Sequence, residues 1–326
     1  MRSFTHFDAN SIEEACEILD EYKGKAFLNA GGSDLLSILK GDLLPNYPDA
    51  IVNIKTITGL DYIKEENGFL KLGALVRLDD IVRSSLLNDN YRILKEAALT
   101  VATPQVRNVA TIGGNLCQDT RCWYYRYPES IGGPLNCLRK GGSRCFAVKG
   151  DNRYHAIMGG KKCFAVCPSD MAVALTALEG KLIISGPKGE RSMAVADFFH
   201  PLGNDLSFNE IIREIEIPAC NFSSKQTFLK FTLRKPVDFA IVSVASIMRV
   251  EEGVCADARI ALGAVAPFPV RAERAEKLLL GKPVSEGIAA AAAEESLAGS
   301  KPLSGNAYKV QIAKTLVKRA IMGSNN

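Results

Sequence analysis

Six of the nine cysteines, Cys117, Cys122, Cys137, Cys145, Cys163 and Cys167, fall between positions 117 and 167. Thiolates are soft anionic ligands, so four of them can close a tetrahedral zinc site or hold an iron-sulfur cluster. Zinc knuckles use close pairs such as C-x2-C, whereas the steps from Cys122 to Cys137, Cys145 and Cys163 are 15, 8 and 18 residues. That spread suits a cluster wrapped by a long loop, with a zinc site or free thiols as the alternatives. The same stretch carries nine cations (Arg121, Arg126, Arg139, Lys140, Arg144, Lys149, Arg153, Lys161 and Lys162) against Asp119, Glu129 and Asp151, a net of +6 in a chain of net +4. Clustered cations would stabilise an anionic cluster, raise its potential, or dock an acidic electron carrier. The aromatic run Trp123-Tyr124-Tyr125 can shield such a cluster or pack against a flavin ring. Cys16, Cys220 and Cys255 sit in apolar or strand-like contexts and are expected to be packing residues.

A second chemistry is suggested by two glycine pairs. Asn29-Ala30-Gly31-Gly32-Ser33-Asp34 lies between an apolar run and a helical pattern, where main-chain N–H groups can approach an anion and Ser33 can cap the helix. Thr111-Ile112-Gly113-Gly114-Asn115 repeats the arrangement. Two such turns match the needs of a dinucleotide, which has a diphosphate to hold and two ends to orient, although either alone is compatible with a plain structural turn. Neither is G-x-G-x-x-G or a P-loop. His6, His155 and His200 are far apart and form no catalytic grouping, so none is assigned a role as base.

The elements that must position these residues are partly legible. Ser11, Glu13 and Glu14 open a helix over 10 to 22 whose stripe is Ile12, Ala15, Ile18 and Leu19. Strand-like runs follow at 26–28, 50–54 and 69–72, with helical patterns at 35–39, 78–87 and 93–101. Residues 117 to 163 are aperiodic and glycine-rich, a loop long enough to need a purpose. A small-residue helix over 171–178 and a strand at 182–184 come next. From about Phe222, runs at 228–233, 242–250 and 258–265 predict an antiparallel sheet, followed by helices over 288–297 and 307–322 that end before Gly323.

With 326 residues, 47% hydrophobic and 23% charged, the chain is long enough for two domains and too apolar for global disorder. No run approaches a membrane span and the N-terminus lacks a secretory pattern, so a cytoplasmic location is expected. The small net charge, without a basic aromatic helix, argues against nucleic acid.

In order along the chain, Ala30 to Leu35, Val106 to Asn115, Pro168-Ser169-Asp170, Leu233 to Ala240 and Gly263 to Pro267 resemble the signature segments of the FAD-binding medium subunits of molybdenum hydroxylases, the group that includes xanthine dehydrogenase and carbon monoxide dehydrogenase. The resemblance implies an α+β fold: a two-lobed FAD-binding domain of the vanillyl-alcohol-oxidase-like (PCMH) type over 1–220, then an antiparallel-sheet-plus-helices domain of the CO dehydrogenase flavoprotein C-terminal type over 221–326. It implies FAD contacts from Asn29, Ala30, Gly31, Gly32, Ser33, Asp34, Leu35 and Leu36, and from Thr111, Ile112, Gly113, Gly114 and Asn115. Ala102, Gln118, Asp170 and Lys235 complete the expected flavin set. The insertion after the second glycine pair resembles the subset with an additional 4Fe-4S cluster, as in the 4-hydroxybenzoyl-CoA reductase and bacterial aldehyde oxidoreductase flavoproteins. The ligands it implies are Cys122, Cys137, Cys145 and Cys163, with Cys167 the substitute for the fourth.

An electron-transfer subunit follows from that resemblance, with molybdopterin on a large partner subunit and 2Fe-2S centres on a small one. A dimer of heterotrimers is implied, with ferredoxin or another carrier as a further partner. The substrate of the whole would be an aldehyde, a purine or other N-heterocycle, or an aromatic acyl-CoA. The alternatives are a stand-alone FAD oxidase or dehydrogenase of the vanillyl-alcohol-oxidase type and a zinc-stabilised binding module.

Overall fold

The computed structural model describes residues 1–219, 224–235 and 237–323, so the expected boundary at 220/221 and Cys220 lie outside the described residues. The chain begins with a three-stranded parallel sheet in which Ala50–Asn53 lies between Thr5–Asp8 and Ala26–Asn29. Parallel strands need crossovers. The first is the helix Ile12–Glu21, capped by the Ser11 hydroxyl on the Glu14 N–H and buried on Ala15, Cys16 and Leu19. The second contains the short helix Leu35–Lys40.

A second lobe is a five-stranded antiparallel sheet in the order Ile63–Glu66, Phe69–Gly73, Ile211–Pro218, Lys181–Gly186 and Gly189–Ala194. Its central strand comes from the far side of the cysteine-rich segment, so the sheet closes only after that segment has been passed. The helix Asp170–Ala177 is buried at every residue, as expected of a helix apolar on all sides.

The C-terminal region is a four-stranded antiparallel sheet, Lys225–Phe231, Val242–Glu251, Val254–Gly263 and Val270–Arg271. Strand residues alternate between faces. Val244, Ile260 and Leu262 therefore pack with Ala289, Ala293, Leu316 and Val317 from the helices Glu286–Ser296 and Tyr308–Met322. Ala245, Ile247 and Ala261 face the other way and join Leu72, Ile215 and Met171 in the core of the second lobe. The C-terminal sheet is thus also a wall of the flavin-type domain.

Between Gln118 and Pro168 the only regular pieces are three 3-10 turns, at Glu129–Ile131, Leu138–Lys140 and Phe146–Val148. No helix among the described residues is long and apolar enough to cross a membrane.

Candidate functional site

The two glycine turns touch each other. Gly31 lies so close to the second turn that a Cβ there would run into the Val109 carbonyl and the Ala110 backbone. Gly32 takes φ +68°, the left-handed region in which a side chain is strained. In the second turn Thr111 caps the helix Ile112–Cys117 by accepting the Gly114 N–H, and a Cβ on Gly113 would press on the Ala74 carbonyl. The segment expected as a loop is therefore the first turn of a helix, disguised because two glycines lower helix propensity.

Both turns open on one cleft of about 900 Å³ between the two lobes and the C-terminal sheet. Ala30, Gly31, Gly32, Ser33, Asp34 and Leu35 line it on one side, and Thr111, Gly113, Gly114, Asn115 and Gln118 on the other. Ala102 lines it at φ +46°, its loop held by the buried Arg107 guanidinium, which donates to the carbonyls of Leu99, Val101 and Ala102 at 3.0–3.4 Å. Asp170 is at the floor, paired with Lys230 at 2.7 Å, both almost fully buried. Burial raises the Asp170 pKa, and the Lys230 ammonium opposes that rise.

Four expected residues do not line the cleft. Asn29 lies behind the first turn with its Oδ1 buried and without a partner among the described residues. Leu36 is exposed, Ile112 is fully buried, and Lys235 is exposed on the loop beyond Phe231. The lysine that reaches the cleft is instead Lys230, within a strand. In sequence it is one of two lysines in its strand, with Lys225, and only the fold pairs it with Asp170.

Ser33 does not cap its helix. Asp34 occupies the N-cap position without a side-chain capping bond, because its carboxylate is taken by Arg121 at 2.9 Å, Arg126 at 2.8 Å and the Asp119 N–H at 2.8 Å. These three residues belong to the cysteine segment, so the first glycine turn is tied directly to it. Arg121 also lines the cleft and stacks on Phe239 at 4.5 Å; the lining cations Arg121, Arg139 and Lys230 are each paired with an acid of the same lining, Asp34, Asp119 and Asp170. Burial and Arg126 lower the Arg121 pKa to about 10, which leaves it charged at neutral pH.

Cys122, Cys145 and Cys163 lie within electrostatic range of one another, and Cys137 within range of Cys163. Cys167 interacts with Asp170 and Arg139, and Cys117 lines the flavin-type cleft. The Cys122 sulfur accepts main-chain N–H groups from Tyr124 and Tyr125 and lies 3.2 Å from the His155 Nε2. Burial pushes the Cys122 thiol up to about 12 and holds His155 down near 4. Both groups are thus neutral near pH 7 in the bare protein, and a bound cation would have to displace the thiol protons. Trp123 packs edge-on to Tyr154 and His155, and Tyr124 stacks on Phe146, so the aromatic run covers the thiols and takes no part in the cleft. Cys16 and Cys255 are buried packing residues. Among the described residues no three His, Cys, Asp or Glu side chains converge tightly enough for a single metal ion.

The cleft suits a flavin dinucleotide: side-chain-free turns for the diphosphate, cations beside them, and apolar walls for a ring. When bound, FAD exchanges two electrons on one side and single electrons on the other. Residues 2–220 match the FAD binding domain in molybdopterin dehydrogenase, and residues 227–323 match the CO dehydrogenase flavoprotein C-terminal domain. The aldehyde oxidoreductase FAD-binding subunit PaoB of Escherichia coli (strain K12) is 35% identical, with 96% of each chain covered. The glyceraldehyde dehydrogenase medium chain of Sulfolobus acidocaldarius is 27% identical over 97% of this chain and 96% of its own. Among solved structures, carbon monoxide dehydrogenase from Hydrogenophaga pseudoflava superposes with a TM-score of 0.78 at 29% identity, covering 98% of this chain and 96% of that one. With its two turns, its cleft and both domains accounted for, the chain belongs to the FAD-binding medium subunits of the molybdenum hydroxylases, an oxidoreductase family.

Proposed function

We propose that this chain is the electron-transfer subunit of a heteromeric molybdenum hydroxylase, holding FAD in the inter-lobe cleft and a 4Fe-4S cluster on Cys122, Cys137, Cys145 and Cys163. The observation that carries the proposal is the contact of the two glycine turns, distant in sequence, across Gly31 and Val109 at the head of one cleft. Gly31 and Gly32 present main chain to the diphosphate, while Gly113 and Gly114, whose N–H groups are taken by the Ala74 carbonyl and the Thr111 hydroxyl, leave room beside it. Arg121 and Arg139 bring guanidinium groups paired with Asp34 and Asp119, and the Asp170–Lys230 pair sets a fixed polar group at the floor. Four thiols in one shielded segment form a donor set that suits a cluster. Mutual range favours Cys163 over Cys167 as the fourth ligand.

The substrate would react at molybdopterin on a large partner subunit, with 2Fe-2S centres on a small one passing electrons to this chain. An acidic carrier such as a ferredoxin would collect them at the basic segment. The relative at 35% identity is named for aldehyde oxidation, which favours an aldehyde over an acyl-CoA and over the N-heterocycles named for relatives at 25–26%. The test is purification of the tagged chain from its native host. The expected product contains two further chains and molybdenum, its flavin is bleached by aldehyde, and the separated chain loses that response. Aldehyde turnover by the separated chain alone would overturn the proposal.

A further inference from the structure

We propose that Lys140 is the buried counter-charge of the four-cysteine site and holds its reduction potential high, an inference that rests on the cluster assignment above. Lys140 is 6% exposed, and its Nζ is shut off from solvent with no hydrogen-bond partner among the described residues. An ammonium in that position is costly unless negative charge is nearby. The ionisable groups within its electrostatic range are Cys137, Cys122 and Asp119. Asp119 is already committed, to Arg139 at 3.0 Å and to the Tyr125 hydroxyl, while the Tyr125 ring lies 5.1 Å from the ammonium and closes it off. The Tyr125 face gives the ammonium a cation–π contact and Asp119 is shared, so the further negative charge that can balance Lys140 is that of the cysteine site.

The backbone fixes this geometry. Lys140 ends the 3-10 turn that Cys137 begins, and its N–H donates to the Cys137 carbonyl at 2.8 Å. Gly141 at φ +82° then turns the chain, and Gly142 packs so tightly on the Asn136 carbonyl that no Cβ fits. One rigid turn therefore presents both a thiol and the cation. Iron binding replaces thiol protons, which makes the ligand set anionic, and uptake of one electron makes it one charge more negative without a proton. A shielded ammonium favours that reduced state far more than a solvated one does. Lys149, in the same segment but exposed, is the natural comparison.

The experiment is a dithionite titration followed by EPR on the purified holoenzyme, after iron and sulfide have been counted. Lys140→Met should shift the cluster midpoint to a more negative value, Lys140→Arg should stay near the parent, and Lys149→Met should leave it unmoved. Loss of iron from Lys140→Met but not from Lys140→Arg equally supports a requirement for the charge. A full-iron Lys140→Met with an unchanged midpoint overturns the proposal, as does equal iron loss from both variants, which would mean that packing alone matters. Absence of iron and sulfide from the parent protein is a separate outcome; it removes the cluster assignment and this inference together.

Discussion

The flavin-type cleft and the cysteine segment adjoin each other but are built by opposite means. The cleft is made of main chain and regular elements: glycines pressed on carbonyls, a Thr111 cap, and a fully buried helix behind Asp170. The cysteine segment has three short 3-10 turns and is held by side chains. Arg126 ties it to Asp34, Arg139 to Asp119, Asn306 donates to the His155 and Ala156 carbonyls, and Lys309 donates to those of His155 and Ala264. A site built from backbone fails when a side chain is added where none fits. A site built from side chains fails when a clamp or its metal is removed.

This contrast can be broken in four ways. The largest effect is expected from Cys137→Ser, which should abolish bound iron while sparing most of the flavin; Cys167→Ser should keep its iron, and loss of iron from Cys167→Ser but not from Cys163→Ser would make Cys167 the fourth ligand. Gly31→Ala comes next, because its Cβ must displace the Val109 backbone. Overpacking of that kind costs about 1–3 kcal/mol, so FAD affinity measured by fluorescence titration should fall roughly tenfold to a hundredfold while iron is retained.

Arg126→Met attacks the joint between the two regions. The Arg126–Asp34 pair is about five-sixths buried, between exposed and fully buried pairs, so a loss of about 2 kcal/mol is expected. A fall in Tm of about 4 °C, with flavin and iron both weakened, would express it; loss of only one cofactor would show that the joint does not couple them.

The smallest effect concerns Lys309. Burial lowers its pKa from 10.5 to about 7, so between those values the unfolded chain binds the extra proton. Stability should therefore rise as pH goes from 7 toward 10. Tm measured across that range should climb for the parent, and Lys309→Met should flatten the climb.

Local patterns made some of this legible. The helix Ile12–Glu21 shows in Ser11 and its apolar stripe, and the C-terminal strands show in their alternation, because those signals are short-range. The helix Ile112–Cys117 was hidden, since its glycines serve close packing at the expense of propensity. The partnership of Asp34 with Arg121 and Arg126 was hidden as well, because those arginines could not be told from the other cations of a basic segment until the chain had folded back. Lys230 and Lys235 are alike in sequence, and only the sheet decides which one turns toward Asp170.

The most direct test of the central claim is the flavin, iron and acid-labile sulfide content of the chain purified without oxygen. About one FAD, four irons and four sulfides per chain are expected, with an EPR signal appearing on dithionite reduction. FAD without iron or sulfide, in protein shown not to have lost a cluster, would contradict the account and leave the cysteine segment as a loop held by its clamps alone.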